Sequence, residues 1–258
     1  MPKSLSTRVR SAALVLVVWI TPAVAGSGER PSLDPEFPVR VEDAYPVSFG
    51  DAYLKFSGRY AHDAAGTDTT LLQPEVAYGL TENVDLHLTF PYLISDADRT
   101  GSGDLNLNAQ WLVLPEQQGQ WWPAVALETN VILPTGVRSD GLDLVGQITL
   151  TKTLAWAPTW DSVHLNLVYR RNFIPNADER DDAYNVVLGY GRRVLDDTTL
   201  VTDVFWEKTL EAHTNQYVAE IGLIQELGDH LQIAAGVGVG LGDDSPDFTA
   251  TLGLIITK

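Results

Sequence analysis

Five histidines, His62, His87, His164, His213 and His230, are the candidate general bases of this chain. A histidine that activates a serine or a water at a membrane rim is what a barrel lipid hydrolase needs. No serine stands in a recognisable nucleophile motif. His62, His213 and His230 fall in segments of turn composition, and His87 and His164 sit on the polar side of alternating runs, where a lining role fits a polar interior. Acidic residues gather in two runs, Asp178, Glu179, Asp181 and Asp182, then Asp243, Asp244 and Asp247, without the alternating ligand spacing of a calcium loop. They read as solvated loops; a second reading is that they bind divalent cations bridging surface lipopolysaccharide or bias an entrance against anions. There is no cysteine, so disulfides and thiolate metal sites are excluded. No catalytic residue, metal ligand or cofactor is assigned.

The remaining chemistry is one set of charges on the polar side of alternating segments: Lys55, Arg59, Glu75, Asp85, His87, Asp104, Glu128, Arg170, Asp203, Glu207 and Glu220. What positions them is a pattern of period two. From Ala52 onward apolar residues recur at every second position for about ten residues at a time. Leu105, Leu107, Ala109, Trp111 and Val113 alternate with Asp104, Asn106, Asn108, Gln110 and Leu112, one apolar row against a mostly polar one. Twelve such segments are predicted, over 52–61, 70–79, 84–94, 103–114, 123–133, 142–154, 162–173, 183–193, 199–208, 216–226, 231–240 and 247–257. Their lengths suit tilted membrane-crossing strands and exceed the strands of soluble sheets. Longer connections rich in Asp, Asn and Gly alternate with shorter turns, the two ends of an outer-membrane barrel. Two turns, 115–122 and 155–161, are longer than that rule prefers. Aromatic residues collect at two heights: Tyr60, Phe90, Tyr92, Tyr169, Tyr184, Trp206, Tyr217 and Phe248 at one, and Tyr53, Tyr78, Trp111, Trp121, Trp122, Trp156 and Tyr190 at the other.

The expected fold is therefore all-β, a single transmembrane antiparallel up-and-down β-barrel of about twelve strands over 51–258, with both termini on the short-turn side. Residues 1–25 read as a signal peptide: Lys3, Arg8 and Arg10 precede an apolar run from Ala12 to Ile20, and Ala23-Val24-Ala25 is a small-x-small cleavage site. Residues 26–50, with Pro31, Pro35, Pro38 and Pro46 and no apolar periodicity, read as an extended segment, either periplasmic or folded up as a lumen plug. With 34 acidic against 17 basic residues the chain has a net charge of −17, which argues against nucleic acid as a partner.

Val41-Glu42-Asp43-Ala44, Tyr78-Gly79-Leu80-Thr81-Glu82-Asn83-Val84, Phe90-Pro91-Tyr92, Gly103-Asp104-Leu105 and Leu133-Pro134-Thr135-Gly136 carry a resemblance over most of the chain. In order and spacing they resemble the outer-membrane β-barrel proteins of the meta-pathway of phenol degradation family, which are transporter-like. The resemblance implies a Gram-negative outer-membrane location among lipid and lipopolysaccharide, insertion by the barrel-assembly machinery, and passage of small, often aromatic, molecules. It carries no catalytic or binding residues. The last strand ends Leu254-Ile255-Ile256-Thr257-Lys258 and departs from the usual aromatic ending that the assembly machinery reads.

Two arrangements satisfy the lumen charges: pairs across strands that block the pore, or a wet path for a small solute. About twelve strands leave more room than eight and less than sixteen. On the eleventh segment Gly236, Gly238 and Gly240 make a smooth strip with Ala234. It is open to a substrate, to residues 26–50 folded inward, or to simple relief of crowding. Carboxylates outnumber cations in the set, which predicts preference for cations or neutral solutes, with Glu128 and Glu220 as the charges that a passing ion meets. A structural or adhesive barrel using its acidic loops is the competing reading.

Overall fold

The computed structural model describes residues 33–63, 66–96, 100–117, 120–137, 139, 141–154, 161–175, 179–210 and 214–258. The signal segment 1–25, the start of the proline-rich segment, Trp156, Asp178 and His213 lie outside them, as does the turn over 155–160.

Twelve staves form the wall: β1 (Ala52–His62), β2 (Asp68–Thr81), β3 in two pieces (Val84–Thr89 and Tyr92–Ser95), β4 in two pieces (Gly101–Ser102 and Leu105–Leu114), β5 (Ala124–Leu133), β6 (Asp143–Thr153), β7 (Ser162–Asn172), β8 (Asp182–Leu195), β9 (Thr198–Lys208), β10 (Asn215–Glu226), β11 (Leu231–Gly240) and β12 (Phe248–Thr257). Each pairs antiparallel with its neighbours in sequence, and β1 closes the ring on β12 from Tyr53 opposite Thr257 to His62 opposite Phe248. Closure leaves no free edge, which lipid demands because it offers backbone groups no partner.

The alternation decides which face meets lipid. Outward positions stay exposed and apolar around the ring, from Phe56 on β1, Leu86 on β3 and Leu127 on β5 to Leu188 on β8, Ile221 on β10 and Leu252 on β12. A continuous apolar surface of this extent belongs in a membrane. Phe90, Tyr92, Tyr169, Tyr184, Tyr217 and Phe248 are exposed toward the long-loop end, and Tyr78, Trp111 and Trp121 toward the other. Tyr53 departs from the girdle expected of it. It has the parity of Lys55 and Arg59, so it points inward and is buried.

The apolar core lies inside the ring. Leu33, Phe37, Val39 and Val41 of the N-terminal segment pack against Val187, Val201, Phe205, Val218, Ile224 and Ile255, all inward-facing. The N-terminal segment does have apolar alternation, at Phe37, Val39 and Val41, over a span too short to stand out in the sequence. On the far side Ala44 packs with Leu112, Ala124 and Ala126.

The breaks in β3 and β4 fall at Phe90-Pro91 and Gly103-Asp104, where proline has no N–H for the ladder. The Gly103 N–H donates to the Pro91 carbonyl at 2.8 Å. Asp104 Oδ1 accepts the N–H groups of Thr135 and Gly136 at 3.1 and 2.8 Å, and Oδ2 accepts the Ser139 hydroxyl at 2.9 Å. Three of the motifs named above thus meet at one joint that fixes the long loop after β5.

Candidate functional site

The lumen is organised around residues 33–50. The segment enters near β8, where Leu33 lies beside Gly191, and leaves at β2, where the Gly50 N–H donates to the Gly79 carbonyl at 2.9 Å. In between, five of its backbone N–H groups are taken by side chains of the wall, while those of Leu33, Phe37, Asp43 and Tyr45 are taken within the segment. Val41 donates to Asp203 at 2.7 Å, Glu42 to Asn166 at 3.0 Å, Ala44 to Thr151 at 2.9 Å and Val47 to Asp85 at 2.7 Å. Arg40 donates its backbone N–H to Glu220 at 3.1 Å. In return Gln110 and Asn166 donate to the carbonyls of Asp43 and Glu42. A buried amide left without a partner is costly, and these bonds remove that cost.

Space for the segment comes from small residues on the staves. A methyl group placed at Gly189 would stand 2.4 Å from Val41, one at Gly222 2.4 Å from the Pro38 ring, and one at Gly253 2.7 Å from the Phe37 ring. At Gly236 it would stand 2.6 Å from the Pro38 carbonyl. Of the three uses open to the strip on β11, the N-terminal segment is what lies against it at Gly236. Gly238 faces Thr249 and Glu220, and Gly240 faces the loop at Pro246.

Ion pairs complete the seat. Lys55 is buried and pairs with Glu75 at 3.0 Å, and Glu75 also meets His87 at 3.1 Å. His87 reaches Asp85 at 3.1 Å. The Tyr53 hydroxyl bonds with Asp34 and Glu75 at 2.7 and 2.9 Å. Asp34, Glu75 and His87 are grouped closely enough to ligate a cation. The Lys55 ammonium on Glu75 already supplies the positive charge there. Arg59 pairs with Glu36 at 3.0 Å and with Glu220. Arg40 pairs with Glu36 and Glu207, both at 2.8 Å. Burial alone would raise the Glu36 carboxyl; Arg59, then Arg40 and Lys55, outweigh it and hold it below its ordinary value. Burial works against the Arg40 charge, and Glu207, Glu36 and Glu220 outweigh it and make the guanidinium harder to deprotonate. Glu42 is the opposite case. Burial, then the charge of Glu128, pushes it well above the ordinary range despite a 2.8 Å bond from Gln147.

The predicted lining residues therefore divide. Lys55, Arg59, Glu75, Asp85, His87, Asp203, Glu207 and Glu220 all engage the N-terminal segment or its direct partners. Glu128 meets it through Gln147, whose amide donates to both Glu128 and Glu42. Glu128 and Glu220 are buried at 6% exposure each, which corrects their reading as charges bare to a passing ion. Asp104 is not in the wall network, because its carboxylate is spent on the loop joint. Arg170 pairs with Asp143 on β6 above the segment. The sequence reading missed Asp34, Glu36, Arg40 and Glu42, whose charges among prolines were the available signal. It also missed Asp143. Of the histidines, His164 bonds Ser162 and Thr151 at 2.8 and 3.0 Å. Ser162 lies next to Gly191, where Leu33 covers the wall.

Between the segment and the long loops lies a cavity of about 510 Å³, with Arg40 in its floor and Arg170, Glu207 and Asn185 in its sides. The fold and this interior define a class: a closed twelve-stranded membrane barrel whose N-terminal segment is seated in its own lumen. The chain belongs to the family described as "Putative MetA-pathway of phenol degradation", whose model matches residues 50–257. It is similar in structure to an outer-membrane channel of Pseudomonas putida F1, at 15% identity over 85% of this chain and 100% of that one, with a TM-score of 0.65. The NanC porin has 11% identity over 79% and 98% with a TM-score of 0.57. The KdgM porin crystallised with disordered oligogalacturonate has 10% over 79% and 98% with a TM-score of 0.56. At these identities the likeness is one of fold. No curated protein matches the sequence.

Proposed function

We propose that this protein is an outer-membrane channel for passive diffusion of small molecules, exported by a signal peptide cleaved after Ala25, with residues 33–50 as the constriction of its own pore. The observation that carries the reading is the pairing of a polar cavity on the long-loop side with a segment held in the lumen by hydrogen bonds and ion pairs as well as by the apolar row of Leu33, Phe37, Val39 and Val41. The polar contacts exchange for water at modest net cost, so the segment is a constriction that can loosen where they hold it. The family and the channel and porin folds support the same reading. No cofactor or energy source enters the scheme.

The excess of carboxylates in the lumen and loops favours cations and neutral solutes over anions. Most of these carboxylates are paired, so the preference is carried by the mouth more than by Glu128 and Glu220. Aromatic or otherwise hydrophobic solutes are the class that the family description favours. Single-channel conductance and liposome swelling with purified protein test the proposal. Passage of ions and small solutes, larger for cations, is expected; a barrel that passes neither supports a structural or adhesive role instead.

A further inference from the structure

The cavity above Arg40 has a lining that sorts into two kinds. Val145 on β6, Val168 on β7 and Leu210 in the loop after β9 give it an apolar side. A polar row over three staves continues from Val168, because in the strand ladders Val168 pairs with Asn185, Asn185 with Glu207 and Glu207 with Gln216. Arg170 rises from β7 two residues beyond Val168 and stands opposite Val145 in the ladder. Two strand spacings, with β8 between, separate the strands of Arg170 and Glu207, about 10 Å, and both side chains reach inward across part of that gap.

Both charges keep unused capacity. Arg170 spends Nε and Nη2 on one oxygen of Asp143, and its Nη1 carries no bond among the described residues. Glu207 meets Arg40 through Oε2, and its Oε1 carries none among the described residues. Asn185 Oδ1 is buried without a hydrogen-bond partner. A half-turn about its soft terminal torsion exchanges the places of that oxygen and the amide nitrogen.

We propose that this cavity binds a small zwitterion of the amino-acid type with an apolar side chain. The carboxylate is met by Arg170, the ammonium by Glu207 and Asn185, and the side chain lies on Val145, Val168 and Leu210. Charge balance selects this class. Arg40 and Arg170 offset Glu207 and Asp143, so a lone anion meets Glu207, a lone cation meets Arg40, and only a molecule with both signs satisfies the two flanks together. Its volume is in the range of small-molecule sites.

The proposal rests on the channel reading for how the solute arrives, and two measurements separate them. Calorimetry on the detergent-solubilised protein compares L-phenylalanine, phenethylamine and 3-phenylpropanoate, which share a ring and differ in charge. L-phenylalanine is expected to bind at least about tenfold more tightly than either, and Arg170→Gln should reduce it to the level of phenethylamine. Equal binding of the three compounds to the parent protein, or no binding, overturns the proposal without recourse to a variant. A protein that binds L-phenylalanine but conducts nothing in a bilayer keeps the site and removes the channel; one that conducts and does not bind removes the site alone.

Discussion

Gly189→Ala tests whether the N-terminal segment controls the pore. The added methyl would lie 2.4, 2.7 and 2.8 Å from three carbons of Val41, whereas carbon atoms rest about 3.5 to 4.0 Å apart. Val41 must therefore move by about 1 Å or more, against Asp203 and the buried row of Val39 and Phe37. Overpacking of this kind costs about 1–3 kcal/mol. The cost falls on the seated state alone, since alanine fits a strand at least as well as glycine does. Burial of Leu33, Phe37, Val39 and Val41 contributes about 1.5–3 kcal/mol for each side chain, an upper estimate. One methyl group thus shifts the balance without emptying the lumen. A loss of 1–3 kcal/mol corresponds to about 5–150-fold more frequent opening. Single-channel recording at fixed voltage reads this directly. Val41→Ala removes two of the three clashing carbons and leaves Cβ at 2.7 Å; it also weakens the seat by itself, so the double variant should open less often than the two single effects multiplied together predict. Opening unchanged in Gly189→Ala, or single effects that simply multiply in the double variant, would refute the seat as the gate.

Three further outcomes follow from the same geometry. Glu42 sits among Glu128, Asp34, His87 and Gln147, and its raised carboxyl pKa means that the seated state binds a proton more readily than the released one. Seating is then strongest below the ordinary carboxyl range and weakens as pH rises through the raised value, so conductance should grow as pH is raised above the ordinary carboxyl range and Glu42→Gln should flatten that rise. Glu220→Gln weakens the partner of Arg59 and of the Arg40 backbone and should increase open events more than Glu128→Gln, whose site touches the segment through Gln147; equal effects in recordings would contradict this order. Asp104→Ala removes three hydrogen bonds to the loop after β5 and, at about 1.5–3 kcal/mol for a bond to a charged group, should lower the temperature at which the folded band is lost on a gel while leaving conductance unchanged.

The wall was legible in the sequence because its information is local. Period two, stave length and turn composition are read within about ten residues, and the predicted segments agree with the observed staves to within a few residues at their ends. Parity even decides Tyr53, which shares the face of Lys55 and Arg59 and so belonged to the lumen by the same rule that placed them there. Tertiary structure alone decided which charge meets which. Val41 and Asp203 are 162 residues apart, and Arg59 and Glu220 are 161 apart; their meeting depends on the ring closing through β1 and β12 and on one strand register throughout. The short alternation of Phe37, Val39 and Val41 could not announce a core, since the surface that buries it exists only after twelve staves have closed around it. Asp104 shows the same limit in reverse: its place at the start of an alternating run suggested the lumen, and the break beside Pro91 turned it to the loop. Local periodicity fixes faces, and only closure fixes partners.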